Sequence, residues 1–296
     1  MARPAMLIGA PLAVLASAPS LAEPPTPDTI NVIGRKPEEV RREAQEFVRQ
    51  VGVAERPVAR WAEPICPHVL GVAPEIGRRV AARIQQAARD ADIKVAKGPC
   101  RTNIVVSFAS DGAALTRALA AKAPVRLIKV AAEDRPALLE GDAPIRWWHA
   151  TEMRAKDGMG TTGNEAPPFA KLDGPGGVPM AGEVYFQYNS SIASTRMVRV
   201  LKAATVIIDA NRATGMPLDS VAAYAALVSL AEIQPNEEAP ANSILSLFQP
   251  DGPRELTALD TNFLRALYRL PLDRTALAQR GLLVRGLLNP PGKGDN

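Results

Sequence analysis

The chain has 296 residues, a formal net charge of +4 at neutral pH, 4% aromatic residues, two cysteines and two histidines. So small a positive surplus, with so few rings to stack on bases, argues against nucleic-acid binding. Two histidines leave little material for a His-based metal site or a catalytic triad.

Residues 1–22 read as a secretory signal peptide. Arg3 supplies the positive start, residues 5–18 (AMLIGAPLAVLASA) the apolar run, and Ser20-Leu21-Ala22 a small-residue cleavage site ahead of Glu23. A spanning helix needs about 20 apolar residues, and this run is shorter and interrupted by Pro11. Cleavage removes one arginine and no acid, leaving a charge of +3. The expected location is therefore periplasmic or extracellular. Residues 23–28 (EPPTPD) form a Pro-rich, flexible lead-in to a single α+β domain expected over 29–270.

Residues 29–33 form a short β-rich run ending at Gly34. Pro37 then opens a helix whose Val40, Ala44, Phe47, Val48 and Val51 share one face, with Glu38 and Glu39 in the first turn and Gly52 as its stop. A strand is predicted over 65–72. A helix follows Pro74, with Ile76, Val80, Ile84, Ala87 and Ala88 inward and Arg78, Arg79, Arg83 and Arg89 on a solvated outer face. Residues 93–96 and 102–108 read as strands on either side of a Gly98-Pro99 turn, and Asp111 caps a helix near 113–122.

Residues 144–150 (PIRWWHA) are an expected strand. Residues 151–182, with seven glycines and four prolines, are an expected disordered or mobile loop. Strands are predicted at 184–188 and 204–209. Residues 221–233 are the strongest apolar stretch after the leader. They form a helix apolar on nearly every side, capped by Asp219, with Glu232 as its one charge. At thirteen residues this suits a core helix rather than a membrane span, so no transmembrane segment is expected in the mature chain. Thr257 and Asp260 form a capping box for a helix over 259–268. A last helix runs over 274–288, within a C-terminal piece (271–296) that ends in a disordered tail.

Cys66 and Cys100 are an even pair in an oxidising compartment, which predicts a disulfide; no CxxC spacing favours metal binding. The closed loop of about 35 residues stabilises by roughly 3 to 4 kcal/mol in the chain-entropy model. Residues 158–163 spell GxGxxG, yet Pro167-Pro168 follow where a dinucleotide fold needs a helix, so no cofactor is expected. GxSxG, SxxK, HExxH and HxxEH are all absent, and no metal site is expected. His68, two residues after Cys66, belongs on a strand beside the disulfide. Trp147 and Trp148 are adjacent on a strand, which puts one ring on each sheet face. With His149 they are the candidate binding residues, one ring in the core and the other beside the Gly-rich loop.

The ordered set Arg60-Trp61, Asn103-Ile104-Val105-Val106, Ser243-Ile244-Leu245-Ser246-Leu247-Phe248, Leu256-Thr257-x-x-Asp260 and Leu264-Arg265-x-Leu267-Tyr268 resembles a family of uncharacterised exported bacterial proteins, a domain of unknown function. That family is similar, remotely, to zinc-dependent peptidases. The resemblance implies a zincin-like layout: a mixed sheet packed against helices, a central helix and a small C-terminal helical subdomain. Members carry acidic residues on the helix before the Ser-Ile segment. Residues 224–233 here lack that acidic pair, so the resemblance carries over no catalytic residue. The expectation is a non-catalytic binding or scaffold domain of the cell envelope, with a protein, peptide or glycan partner. The rival is a peptidase- or glycosidase-like envelope hydrolase using His149 under the 151–182 loop.

Overall fold

A computed structural model describes residues 36–53, 56–122, 135–155, 197–235 and 238–289. The leader, the lead-in, the expected strands at 29–33 and 184–188, the GxGxxG run and the final tail lie outside the described residues. In chain order the elements are α1 (Pro37–Gln50), β1 (Ala59–Trp61), β2 (Pro67–Leu70), α2 (Pro74–Asp90), β3 (Ile104–Ala109), α3 (Gly112–Lys122), α4 (Arg135–Glu140), β4 (Ile145–Ala155) and β5 (Met197–Asp209). Then follow α5 (Leu218–Leu230), a 3-10 turn (Ile244–Ser246), α6 (Ala258–Arg269) and α7 (Ala276–Leu288).

The long strand β5 organises a mixed sheet. One of its edges pairs antiparallel with β4, from Ile145↔Ile208 to Ala155↔Met197. Its other edge carries two parallel strands end to end, β1 against residues 199–201 and β3 against 204–209, and β2 continues parallel to β3. Apolar runs such as ATVIID suit such a strand because it is flanked on both edges and packs apolar side chains on both faces. β4 runs five residues into the stretch expected to be loop. Residues 151–155 contain no Gly or Pro and pair with 197–201, so the composition shift that marks the loop begins after them. Residues 93–96 shrink from an expected strand to one bridge, Ile65↔Val95, before Gly98-Pro99 and the disulfide turn the chain away.

Period-2 alternation assigns the two faces of the sheet. Ile104, Val106, Ala204, Val206, Ile208, Ile145 and Trp147 join the main core, whereas Ile207 and Trp148 pack with Leu138, Leu115 and Leu119 of α3 and α4. On the main-core side α5 lies against β4 and β5, overlaid by α2, α6 and the 3-10 turn. Every residue of α5 from Ser220 to Leu230 is buried, as its all-round apolar sequence predicts. Its N-cap is Pro217 rather than Asp219, whose carboxylate is instead gripped by Arg79 through Nε (2.9 Å) and Nη2 (2.5 Å). Glu232 lies past the helix end and pairs with Arg199 at 2.8 Å.

The outer helices follow their sequence signals. α1 buries Ala44, Phe47 and Val48 and stops where Gly52 turns to φ 64°, a conformation that costs glycine nothing. α6 carries the Thr257/Asp260 capping box, and α7 is capped by Thr275. Phe263 of α6 meets Phe47 edge-on, ring centroids 5.3 Å apart. Leu264, Leu267, Leu283 and Leu287 belong to the same core as the sheet.

Candidate functional site

β4 carries the three aromatic candidates, and the pleat separates them. Trp147 faces α5, its ring edge-on to Tyr224 at 5.8 Å and its Nε1 donating to the Ile233 carbonyl at 2.8 Å. His149 lies on the same face, 8% exposed, with Nε2 2.8 Å from the Val228 carbonyl of α5. Burial holds its pKa below the ordinary value, against the opposing pull of Glu232 and of that carbonyl. Trp148 lies on the opposite face. The three candidates are therefore split by the sheet, one ring on each face as adjacent strand positions require, with His149 beside Trp147. The two histidines are divided too: His68, Val105, Thr205 and Trp148 form one cross-strand row, whereas His149 pairs with Ala204 in the next row, on the other face. Among the described residues no three His, Cys, Asp or Glu side chains are placed to hold a metal ion.

Trp148 does line an opening. α3 and α4 cover the carboxyl-terminal half of its face, and beyond them lies a groove of about 640 Å³, within the range of ligand sites. Its floor is Val105, Trp148, Ala150, Ala203 and Thr205, small or apolar side chains on three adjacent strands. A β-bulge completes it. Ala150 pairs with Ala203 and Thr151 with Leu201, so Lys202 is the extra residue in β5. The bulge breaks strict alternation: consecutive Lys202 and Ala203 are both half-buried on the groove, Ala204 borders it although nearly fully buried, and Leu201 stays in the core.

One wall is built by the disulfide. Cys66 and Cys100 are bonded with their Cα atoms 6.1 Å apart, and Cys100, Arg101, Thr102 and Asn103 line the opening. Asn103 ties this wall to the sheet. Its Oδ1 accepts from the Cys66 N–H (2.7 Å), its Nδ2 donates to the Pro64 carbonyl (3.0 Å), and its own carbonyl accepts from the Ala204 N–H (3.0 Å). At the rim Glu63 accepts from Arg154 Nη2 (2.7 Å) and Lys202 Nζ (2.9 Å). These two cations push its pKa down to about 2, so it stays ionised and engaged. The groove thus offers aromatic, apolar, hydroxyl and cationic contacts. Glu63, the one carboxylate among its described lining residues, is poorly suited to proton transfer near neutral pH.

The other motif residues are explained by packing. Asp260 accepts from the Ser243 hydroxyl (2.5 Å) and from the Ile244 and Thr257 N–H groups (2.9 Å each), stapling the 3-10 turn to α6. Arg60 and Trp61 meet Tyr268, 208 and 207 residues away. Sequence reasoning passed over Glu63, Asn103, Lys202 and Thr205 as site residues. Only the Asn103 motif flagged any of them, because the rest converge through strand pairing.

Fold and groove together define a mixed-sheet α/β protein with helices on both faces and an open hollow on one of them. Compared with family models, curated proteins and solved structures, the chain gives no significant match to any of the three.

Proposed function

We propose that this chain is an exported, non-catalytic binding or scaffold protein of the cell envelope that holds a peptide or glycan in the groove over Trp148. The carrying observation is the groove's chemistry: an aromatic and apolar floor, with Glu63, the acid among its described lining residues, paired with Arg154 and Lys202. Apolar faces with a few hydroxyl and charged groups at the rim suit peptide and sugar ligands, which present alternating apolar and hydrogen-bonding surface. The layout is consistent with a zincin-like arrangement and a small C-terminal helical subdomain. The central helix α5, however, carries no carboxylate, imidazole or thiol between Ser220 and Leu230. The bonded cysteine pair fits an oxidising compartment, and no helix among the described residues is long and apolar enough to cross a membrane.

Peptide and glycan arrays probed with the purified mature protein test this reading. Ala203→Phe, which fills the floor, should abolish the strongest hits while leaving the thermal transition within a few degrees. Hits unaffected by that change would overturn the groove as the binding site. Turnover of a bound peptide or glycan would overturn the non-catalytic assignment.

A further inference from the structure

A second cleft, of about 270 Å³, lies between β1, the turn after α2 and the end of α6, lined by Arg60, Trp61, Asp92, Lys94, Tyr268 and Leu272. Arg60 is half-buried there, between buried Ala59 and Trp61. Its Nη1 donates to the Tyr268 carbonyl. Its Nε–H and Nη2–H, the side of the guanidinium that grips an oxyanion through two parallel bonds, meet no acceptor among the described residues. Elsewhere in this molecule that same side is used: Arg79 closes it on Asp219, and Arg49 on Glu46. Burial pulls the Arg60 guanidinium below its ordinary pKa, but a guanidinium remains protonated in water at any physiological pH.

The remaining groups of the cleft share this bias. Lys94 forms no ion pair with an acid among the described residues. The acid present, Asp92, faces Arg269 at 3.6 Å. The Tyr268 hydroxyl is committed, donating to the Leu230 carbonyl at 2.7 Å and accepting from the Trp61 N–H at 3.3 Å. It is a wall rather than a ligand group. A partly desolvated cation without a counter-ion is costly unless something pairs with it. We infer that this cleft is an oxyanion site, in which the open side of Arg60 and the ammonium of Lys94 hold a carboxylate or phosphate group of a small ligand. This inference does not rest on the binding role proposed for the groove.

Tryptophan fluorescence of the full chain, titrated separately with sodium phosphate and sodium acetate against chloride at constant ionic strength, tests the inference. Saturation by phosphate, by acetate or by both supports it, and the pattern tells which oxyanion the natural ligand carries. Lys94→Ala, an exposed change that leaves the fold intact, should weaken the saturating ion about tenfold, equivalent to about 1.4 kcal/mol. Arg60→Lys, which keeps the charge but removes the paired donors, should weaken it at least as much. No saturation by either ion, or an affinity unchanged in Lys94→Ala, would overturn the site.

Discussion

On one face of the sheet, Ile104, Val106, Ala204, Val206 and Ile208 are each at most 2% exposed beneath α5, whereas Val105, Ala203 and Thr205 on the other face are only half-buried. The difference lies in what the chain has to cover them with. α5, α2 and α6 bring long apolar side chains to the first face. Among the described residues, α3 and the six-residue α4 bring Leu115, Leu119, Leu138 and Leu139 to the second, where they pack on Ile207 and Trp148. The described residues therefore pack one face more completely than the other, and the less covered half of the second face carries the groove proposed above as a binding surface. Trp147 and Trp148, neighbours in sequence, are both buried but on opposite sides of this partition: one in the main core, the other in the smaller cluster that borders the groove.

Three measurements sharpen or break this contrast. Leu227→Ala, at a fully buried position of α5, should cost about 2 to 5 kcal/mol in urea unfolding, because the helix is packed on all sides and cannot collapse into the cavity. Thr205→Ala, on the floor of the groove, should stay within about 0.5 kcal/mol of the parent. Equal losses would show that the two faces are not energetically distinct.

Replacing Cys66 and Cys100 together by Ser should cost about 3 kcal/mol through the freed loop of the unfolded chain. Its local signature should be faster amide exchange at residues 100–103, in the groove wall, well before any change in α5. Protection unchanged at 100–103 would mean that Asn103 alone secures that wall.

A further effect, read from pH dependence, concerns His149. Its folded pKa is depressed, chiefly by burial, relative to an unfolded value of about 6.5. The unfolded chain therefore takes up a proton that the folded chain refuses, so stability is full above about pH 6.5 and falls as the pH drops below it. The slope from this one group is at most about 1.4 kcal/mol per pH unit. His149→Gln should flatten the urea midpoint between pH 7 and pH 5.5. An unchanged slope would place the titration elsewhere.

Much of the fold was legible because its signals are local. The stripe from Val40 to Val51, the Asp111 cap, the Thr257/Asp260 box and the unpunctuated run ending at Asp209 each depend on residues within a few positions of one another. Local signals also misled where a neighbour in space competed for the same group. Asp219 looks like a cap, but Arg79 of α2 holds it. Residues 151–155 look like the start of a Gly-rich loop, but pairing with 197–201 makes them strand. The groove was hardly legible at all. Its floor joins β3, β4 and β5, its wall needs a disulfide over 34 residues of separation, and its lysine is aimed inward by a bulge that no local pattern announces.

Composition and short-range order in this chain decided which segments are helices and strands and which side of each is apolar, because those preferences arise within one or two turns of backbone. Which strand lies beside which was settled by long-range pairing along β5, and with it the separation of His149 from Trp148, the hollow over Thr205 and the open side of Arg60. Such pairings join residues up to 140 positions apart, Ala59 with Arg199, where the entropy of closing the chain is repaid only by the assembled core.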